Sequence, residues 1–225
     1  MRHIGRAVCA VLVAAWAIAV YAWFVQPDVR MLKTKAPAVT AFMEIRAREA
    51  EAKGKPARRV QRWVSYDQIS PNLKRAVIAA EDGAFYDHQG VDTFEVRASI
   101  NSTLTKGEPL RGASTLTQQL AKNLYLSPSR NPYRKLSELF ITRRLELELS
   151  KRRILEIYLN VIEWGDGIWG CEAASQTYFG VPAADLSLDQ ATLLAAAVSS
   201  PRVFNPARPS ARLLRAQAVV LARLK

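Results

Sequence analysis

The chain has 225 residues, a net charge of +12 and two cysteines. This length is enough for one domain with a sizeable core. Cys9 and Cys171 lie far apart, which excludes a disulfide framework and a thiolate metal site. The surplus of positive charge indicates an anionic partner, such as nucleic acid, phospholipid head groups or a phosphorylated substrate.

An uncharged apolar run covers residues 7–25. At about 1.5 Å per residue, a helix of this length reaches roughly 28 Å, close to the thickness of the hydrocarbon core of a membrane. Arg2 and Arg6 precede the run, so we expect residues 1–6 to stay in the cytoplasm and the rest to be exported. A cleaved signal peptide is the alternative, but the run is longer than the usual signal-peptide core, which favours a retained anchor. Export makes nucleic acid the least favoured anionic partner.

Residues 26–62 are charged and interrupted by proline and glycine, and they contain one predicted helix near residues 39–50. We interpret this segment as a stalk and residues 63–225 as the main domain. The domain is predicted to be mostly helical, because no sustained alternation of apolar and polar residues occurs in it. Its later helices are predicted from apolar periodicity and capping residues at 111–126, at 131–164 with a break at Ser150, at 185–198 and over the last twenty residues.

A carboxylate, Glu81, follows the apolar row of the first helix of this domain. Ser70 is a candidate N-cap and Pro71 suits the first helical position. Leu73, Val77 and Glu81 are spaced four apart and share one helix face. If that face is buried, the pKa of Glu81 rises and the carboxylate suits the role of a base. The alternative is that Glu81 ends the helix and turns toward solvent.

Residues 107–114 resemble a phosphate-binding loop, but Ala113 occupies the position of its essential lysine, so a nucleotide site is excluded. Ser114, Gln118 and Lys122 then form a polar stripe opposite the apolar row Leu116, Leu120 and Leu124. The stripe is either part of a binding site or the solvated face of an amphipathic helix.

A second carboxylate, Glu138, is flanked by Arg134 and Lys135 on one predicted helix face, which should keep it ionised. An ordinary surface ion pair is the alternative. Together with Glu81, the basic residues of this region suit a sugar substrate that bears a pyrophosphate, because cations stabilise a departing pyrophosphate while a carboxylate takes a proton. These basic residues are Lys122, Arg130, Arg134 and Lys135.

Five segments in order resemble the motifs of the peptidoglycan glycosyltransferases, glycosyltransferase family 51. They are E-D-G-A-F-Y-D-H-Q-G, G-A-S-T-L-T-Q-Q-L-A-K-N, R-K-L-S-E, K-R-R-I-L-E-I-Y-L-N and G-D-G-I-W-G-C-E-A-A-S-Q-T-Y-F-G. The resemblance implies a mostly α, lysozyme-like domain with a head lobe and a membrane-facing jaw lobe that includes roughly residues 92–111. It also implies polymerisation of lipid II with inversion at the donor carbon and release of undecaprenyl pyrophosphate.

The resemblance implies that Glu81 is the general base and that Glu138 is the second essential carboxylate, which acts directly or through a divalent metal ion, Mg²⁺ or Mn²⁺. No permanently bound cofactor is expected. Asp82, Phe85, His88 and Gly90 match motif positions that shape the cleft. The residues expected to bind substrate are Arg97, Ser114, Gln118, Lys122, Arg130, Arg134 and Lys135.

The resemblance further implies a single-pass protein of the bacterial inner membrane with a periplasmic catalytic domain. Its expected partners are lipid II, the growing glycan chain, membrane lipids and proteins of cell division or elongation. One departure is Ala113, where the family often has glycine. No transpeptidase signature is present, because no Ser is followed by Lys three residues later and K-T-G is absent. Glycan polymerisation without cross-linking is therefore expected.

Two other functions fit parts of the sequence. A hydrolytic or lytic enzyme could cut glycan with a carboxylate pair, but it gives no use to the cations around Glu138. A non-enzymatic anchored scaffold could bind anionic lipid, but it predicts dispersed basic residues rather than the cluster between Lys122 and Lys135.

Overall fold

The computed structural model describes residues 2–107, 114–129 and 131–225, so Ala113 and Arg130 lie outside the described residues. The described chain is mostly helical, as predicted. Its helices are α1 Arg2–Phe24, α2 Ala41–Glu51, α3 Pro71–Glu81, α4 Thr93–Lys106, α5 Leu116–Tyr125, α6 Pro132–Glu148, α7 Lys151–Val161, α8 Cys171–Phe179, α9 Leu188–Ala197 and α10 Ala211–Arg223. The division into head and jaw lobes stays a prediction.

Side-chain caps set the starts of most of the domain's helices; α8, which follows Gly170, has no side-chain cap. Ser70 accepts from the Asn72 N–H at the start of α3, and Pro71 takes the first helical position. Asn131 caps α6. Ser150 caps α7, which confirms the predicted break in the long helical stretch. Each cap pairs an N–H group that has no partner inside its helix, so the caps fix where the helices begin.

The core lies where α3 packs on α9 and α10, and where α5 packs on α6 and α7. Leu73 and Val77 of α3 are fully buried. The predicted apolar row of α5 is also buried, and it consists of Leu116, Leu120 and Leu124. The largest enclosed side chains include Trp164, Trp169 and Tyr158. Burial of this surface stabilises the fold and holds α3 and α5 side by side.

A small sheet, which was not predicted, closes one side of the domain. Its strands are β1 Val60–Gln61, β2 Glu163–Gly165 and β3 Ile168–Trp169, in the order β1-β3-β2. The β1 strand pairs parallel to β3, and β2 pairs antiparallel to it. Strands of two or three residues are too short to produce an alternating pattern, so periodicity could not reveal them.

The N-terminal region contains α1, a 3₁₀ turn at Arg30–Lys33 and α2. In the part of the chain that the structure describes, no helix is both long enough and apolar enough to cross a membrane. The predicted anchor is therefore not supported by the structure and stays a prediction. Val29, Leu32 and Met43 are buried, and α2 packs on α5, so this part of the predicted stalk contacts the domain. The domain boundaries also stay predictions.

Asn160 should be essential for stability, because it connects α7 to the segment after β1. Its Nδ2 donates to the carbonyl oxygens of Val64 and Glu156 at 2.9 and 2.8 Å, and its Oδ1 accepts from the Val64 N–H at 2.9 Å. Asn160→Asp puts an oxygen against both carbonyls. We expect a loss of about 3 kcal/mol in the free energy of unfolding, measured by chemical denaturation.

The matched control is Asn101→Asp on the exposed side of α4. It should change the free energy of unfolding by about 0.5 kcal/mol or less. Equal losses in the two variants would contradict the role given to Asn160.

Candidate active site

Glu81 is the last residue of α3 and is half-buried. Its Oε2 accepts a hydrogen bond of 2.8 Å from Nε2 of Gln119 on α5. The Oε1 of Gln119 in turn accepts from the hydroxyl of Tyr158 at 2.8 Å. Tyr158 is fully buried on α7. Three helices therefore hold the carboxylate in place, and the predicted alternative in which Glu81 turns to solvent is wrong.

Burial raises the pKa of Glu81 above the ordinary value of 4.5. The Gln119 hydrogen bond and the charges of Lys122 and Arg223 act in the opposite direction, but burial is the larger influence. A carboxylate with a raised pKa binds a proton more readily, which is the property that a general base needs.

Asp82 follows Glu81 and has two partners. Its Oδ2 accepts from the Leu116 N–H at 2.9 Å, and its Oδ1 lies 2.9 Å from Nε2 of His88. The Gly90 N–H donates to Nδ1 of His88 at 3.1 Å, which assigns the donated hydrogen of the ring to Nε2. Asp82 therefore connects the end of α3 to the start of α5, in accordance with the predicted structural role of this motif.

Gly90 is packed against α6 at a φ of +91°. A Cβ atom there would lie 2.6 Å from Cγ2 of Thr142 and 3.0 Å from Cγ of Glu146. The Gly90 carbonyl also accepts a hydrogen bond of 2.6 Å from the hydroxyl of Thr115, the N-cap of α5. Only glycine combines this backbone angle with so close a contact, which explains its place in the motif.

A cavity of about 550 Å³ opens beside Glu81. Its lining includes the end of α3, the start of α4, Ser114 and Thr115 before α5, and Arg223 of α10. The cavity is large enough for part of a sugar substrate. Ser114 and Glu81 are thus brought together, as predicted.

Glu138 is 3% exposed on α6 and accepts hydrogen bonds from two cations. Nη1 of Arg134 lies 2.5 Å from Oε2, and Nζ of Lys135 lies 2.5 Å from Oε1. The predicted pairing is confirmed, but the carboxylate is buried rather than on the surface. Nε of Arg134 is buried and has no hydrogen-bond partner among the described residues. An unpaired buried donor of this kind suits an anionic ligand.

Lys122 on α5 connects the two carboxylates electrostatically. Burial lowers its pKa, the charges of Glu138 and Glu81 raise it, and those of Arg134 and Lys135 lower it. Because α5 packs on α6 and Gln119 of α5 binds Glu81, Lys122 lies on the helix that stands between the two carboxylates. We call Lys122, Arg134 and Lys135 the cation group; it lies on α5 and α6, and none of its three residues lines the cavity beside Glu81.

The remaining predicted residues are placed differently. Gln118 is 3% exposed, and its side chain accepts from the Thr115 N–H as part of a capping box. Arg97 is exposed on α4, and no described contact joins it to the cation group. Arg130 lies outside the described residues. Roles of these three in substrate binding stay predictions.

Gln119, Tyr158 and Arg223 were not predicted as site residues. Gln119 contacts Glu81, Arg223 contacts the turn that carries it, and Tyr158 contacts Gln119. A glutamine beside a polar stripe gives a weak indication of Gln119. Tyr158 lies within the fourth motif segment, but nothing in its spacing relates it to Glu81. Arg223 lies outside all five segments.

The described residues do not form a metal site around Glu138. Both of its oxygens face cations, and within the described ranges no group of three or more His, Cys, Asp or Glu side chains could hold a metal ion. The metal requirement therefore stays a prediction.

Comparison with known proteins gives a consistent result. A transglycosylase family model matches residues 48–225. A biosynthetic peptidoglycan transglycosylase of Nitrosomonas eutropha is 45% identical over 213 residues, which cover 95% of this chain and 87% of the relative. A protein with the same name from Nitrosospira multiformis is 47% identical, and the match covers 84% of this chain and 82% of that relative. Another, from Chromobacterium violaceum, is 44% identical over 100% of this chain and 97% of that relative.

The chain therefore belongs to the transglycosylase family. It is an enzyme, a peptidoglycan glycosyltransferase of cell-wall biosynthesis. The predicted family and enzyme class are confirmed.

Tyr158→Phe tests the contact chain from Tyr158 through Gln119 to Glu81. The variant keeps the buried ring but removes the O–H group that orients the Gln119 amide. We expect kcat/KM for glycan synthesis to fall about fivefold, the equivalent of about 1 kcal/mol for one neutral hydrogen bond.

The control is Tyr125→Phe on α5, whose hydroxyl has no hydrogen-bond partner among the described residues. Thermal unfolding should show that both variants fold. Equal losses of activity in the two variants, or no loss in either, would contradict the role of Tyr158 in orienting Gln119.

Proposed function

We propose that this enzyme polymerises lipid II into glycan strands and releases undecaprenyl pyrophosphate. The observation that carries the proposal is the separation of charge between the cavity and the helices packed beside it. A partly buried carboxylate, Glu81, borders the cavity, and the cation group lies on the neighbouring helices α5 and α6. The carboxylate can take the proton of an acceptor hydroxyl, and the cation group can stabilise the charge of a departing pyrophosphate.

In the proposed reaction, Glu81 takes the proton from the 4-hydroxyl of the acceptor sugar. The oxygen of that hydroxyl attacks the anomeric carbon of the donor, and the bond from this carbon to the pyrophosphate oxygen breaks. Attack from the side opposite the leaving group inverts the configuration of that carbon. The raised pKa of Glu81 supports its role as the proton acceptor.

The cation group stabilises the negative charge that develops on the pyrophosphate. Arg134 has an unpaired Nε for this purpose, and its guanidinium can bind two phosphate oxygens at once. Glu138 holds Arg134 and Lys135 in place through its two oxygens. We assign Ser114 to the acceptor side, because it borders the cavity with Glu81. The other predicted binding residues are Arg97, Gln118 and Arg130.

Glu81→Gln should abolish polymerisation of labelled lipid II by the purified enzyme. A general base contributes about 100-fold or more to the rate, and glutamine cannot accept the proton. In the wild type, kcat/KM should rise as pH passes upward through the pKa of Glu81, with the acid limb above 4.5, because burial raises that pKa. Glu51→Gln, an exposed carboxylate on α2, should leave the activity unchanged.

Analysis of the products distinguishes the alternatives. A glycan polymer without peptide cross-links, formed with one undecaprenyl pyrophosphate per bond, agrees with the proposal. Shortening of added glycan strands without release of pyrophosphate would instead indicate a hydrolase. If Glu81→Gln made as much polymer as the wild type, Glu81 would not be the general base.

We also propose that the protein is attached to the bacterial inner membrane with its catalytic domain in the periplasm. The uncharged run of residues 7–25 is the sequence feature that favours a retained anchor. On α4, whose first turn borders the cavity, Phe94 and Leu104 are 78% and 80% exposed and offer apolar surface to lipid. A lipid-linked substrate would then meet the cleft at the membrane surface.

Intact mass measurement of the membrane-extracted protein tests this attachment. A retained anchor predicts a mass that includes residues 7–25 and resistance to alkaline extraction, whereas a cleaved signal peptide predicts a shorter, extractable protein. With Cys9 replaced by Ser, a fluorophore on Leu104→Cys should report an apolar environment in vesicles. The same fluorophore on Leu188→Cys, an exposed position on α9, should not.

A further inference from the structure

The helix α10 reaches the candidate site through Arg223. Nη1 of Arg223, the last residue of α10, donates to the carbonyl oxygens of Ala79 and Ala80 at 3.0 and 3.1 Å. The same side chain lines the cavity beside Glu81. Arg223 therefore contacts the turn of α3 that ends in the catalytic carboxylate.

The last carbonyl groups of an α-helix have no partner within the helix. In α3, the Ile78 carbonyl accepts from the Asp82 N–H at 2.9 Å, and Arg223 supplies a donor for the next two carbonyls. A cation at this position also interacts favourably with the negative end of the helix dipole. The final turn of α3 is thus held from outside the helix.

The support for Arg223 is itself fixed. Leu213 and Val220 of α10 are buried, and the helix packs on α9 and α3. Nε2 of Gln217 donates to Oδ1 of Asp189 at 2.7 Å, which joins α10 to the start of α9. The helix that presents Arg223 to α3 is therefore anchored in the core, while Arg223 itself is exposed at the end of that helix.

We propose that Arg223 is a positioning residue that holds the last turn of α3 so that Glu81 meets Gln119 in the cleft. The inference deepens the proposed function, since it rests on Glu81 as the base of the reaction. Glu81 has only one hydrogen-bond donor among the described residues, Gln119, so its direction depends on the backbone that carries it.

The charge of Arg223 also affects Glu81. Burial raises the pKa of Glu81, whereas Arg223 and Lys122 lower it and Asp82 raises it. Loss of the Arg223 charge should therefore raise the pKa of Glu81 further. The titratable or charged groups that face Glu81 or line its cavity are Asp82, Asp92 and Glu95, Lys122 on α5, Tyr158 on α7 and Arg223 on α10.

The test compares Arg223→Met with Arg223→Lys in the full chain, with Arg215→Met as the matched control. Arg215 is an exposed arginine of the same helix without a recorded partner among the described residues. Glu81 is titrated directly by NMR of protein labelled with ¹³C at the glutamate carboxyl carbons, and its resonance is assigned with Glu81→Gln. The pH profile of kcat/KM for lipid II polymerisation is measured in parallel.

In Arg223→Met, the pKa of Glu81 and the acid limb of the profile should both rise by about half a pH unit. Arg223→Lys should restore most of this shift, because it keeps a cation near the α3 carbonyls. Arg215→Met should not shift either value. A merely structural loss would lower activity at all pH values without moving the acid limb.

An unchanged Glu81 titration in Arg223→Met, or an equal shift in Arg215→Met, would overturn the inference. The two proposals can fail separately. If the wild type makes no polymer but Glu81 titrates as described, the proposed function fails and the role of Arg223 in holding Glu81 stands. If the wild type makes polymer and neither the titration nor the acid limb moves, only the role of Arg223 fails.

Discussion

The carboxylate of Asp82 fixes the geometry on which the site depends. It is 8% exposed, and it accepts the N–H of Leu116 at the start of α5 while it contacts His88 with its other oxygen. A negative charge at a helix N-terminus is favourable, and burial strengthens the hydrogen bond. Because Asp82 follows Glu81 directly, this bond sets the end of α3 relative to the helix that carries Gln119 and Lys122.

The two neighbouring carboxylates consequently have different roles. Asp82 has a hydrogen-bond partner on each carboxylate oxygen, so both oxygens serve to hold the fold together. Glu81 has one donor on Oε2 and none from the described residues on Oε1, which leaves an oxygen for the substrate's proton. Burial of Glu81 costs free energy in the charged form, and the nearby cations offset only part of this cost.

Features set within one helix could be predicted from the sequence. Ser70, Asn131 and Ser150 cap helices as expected, and the spacing of Arg134, Lys135 and Glu138 correctly predicts their contact. These relations extend over at most four residues, so periodicity and capping rules describe them. The burial of Glu138 was missed, because it depends on what packs against α6.

Contacts between distant parts of the chain could not be predicted. The family resemblance predicts Gln118 as a binding residue, and Gln118 also continues the polar stripe from Ser114 to Lys122. In the structure its side chain turns back to Thr115, whereas Gln119 reaches Glu81, 38 residues away in sequence. In a capping box, the side chain three residues after the cap binds the backbone of the cap and is then not available to a binding site. The spacing of polar residues in the sequence does not reveal which of the two contacts forms. Arg223 lies still farther from α3 along the chain, so helical spacing carries no information about its partner.

Most buried polar side chains in the described part of the chain are paired, including Asn160 and Gln217. Unpaired buried side-chain atoms there are Nε of Arg134, Oγ1 of Thr142 and Oε1 of Glu163. An unpaired buried donor costs about 1–3 kcal/mol, so its place in the fold is informative. Arg134 lies beside Lys122 and Lys135 on the substrate-facing side of Glu138 in the proposed reaction, where a phosphate oxygen would supply the missing acceptor. In the proposed reaction, binding of the pyrophosphate would therefore give Nε of Arg134 the acceptor that it lacks among the described residues.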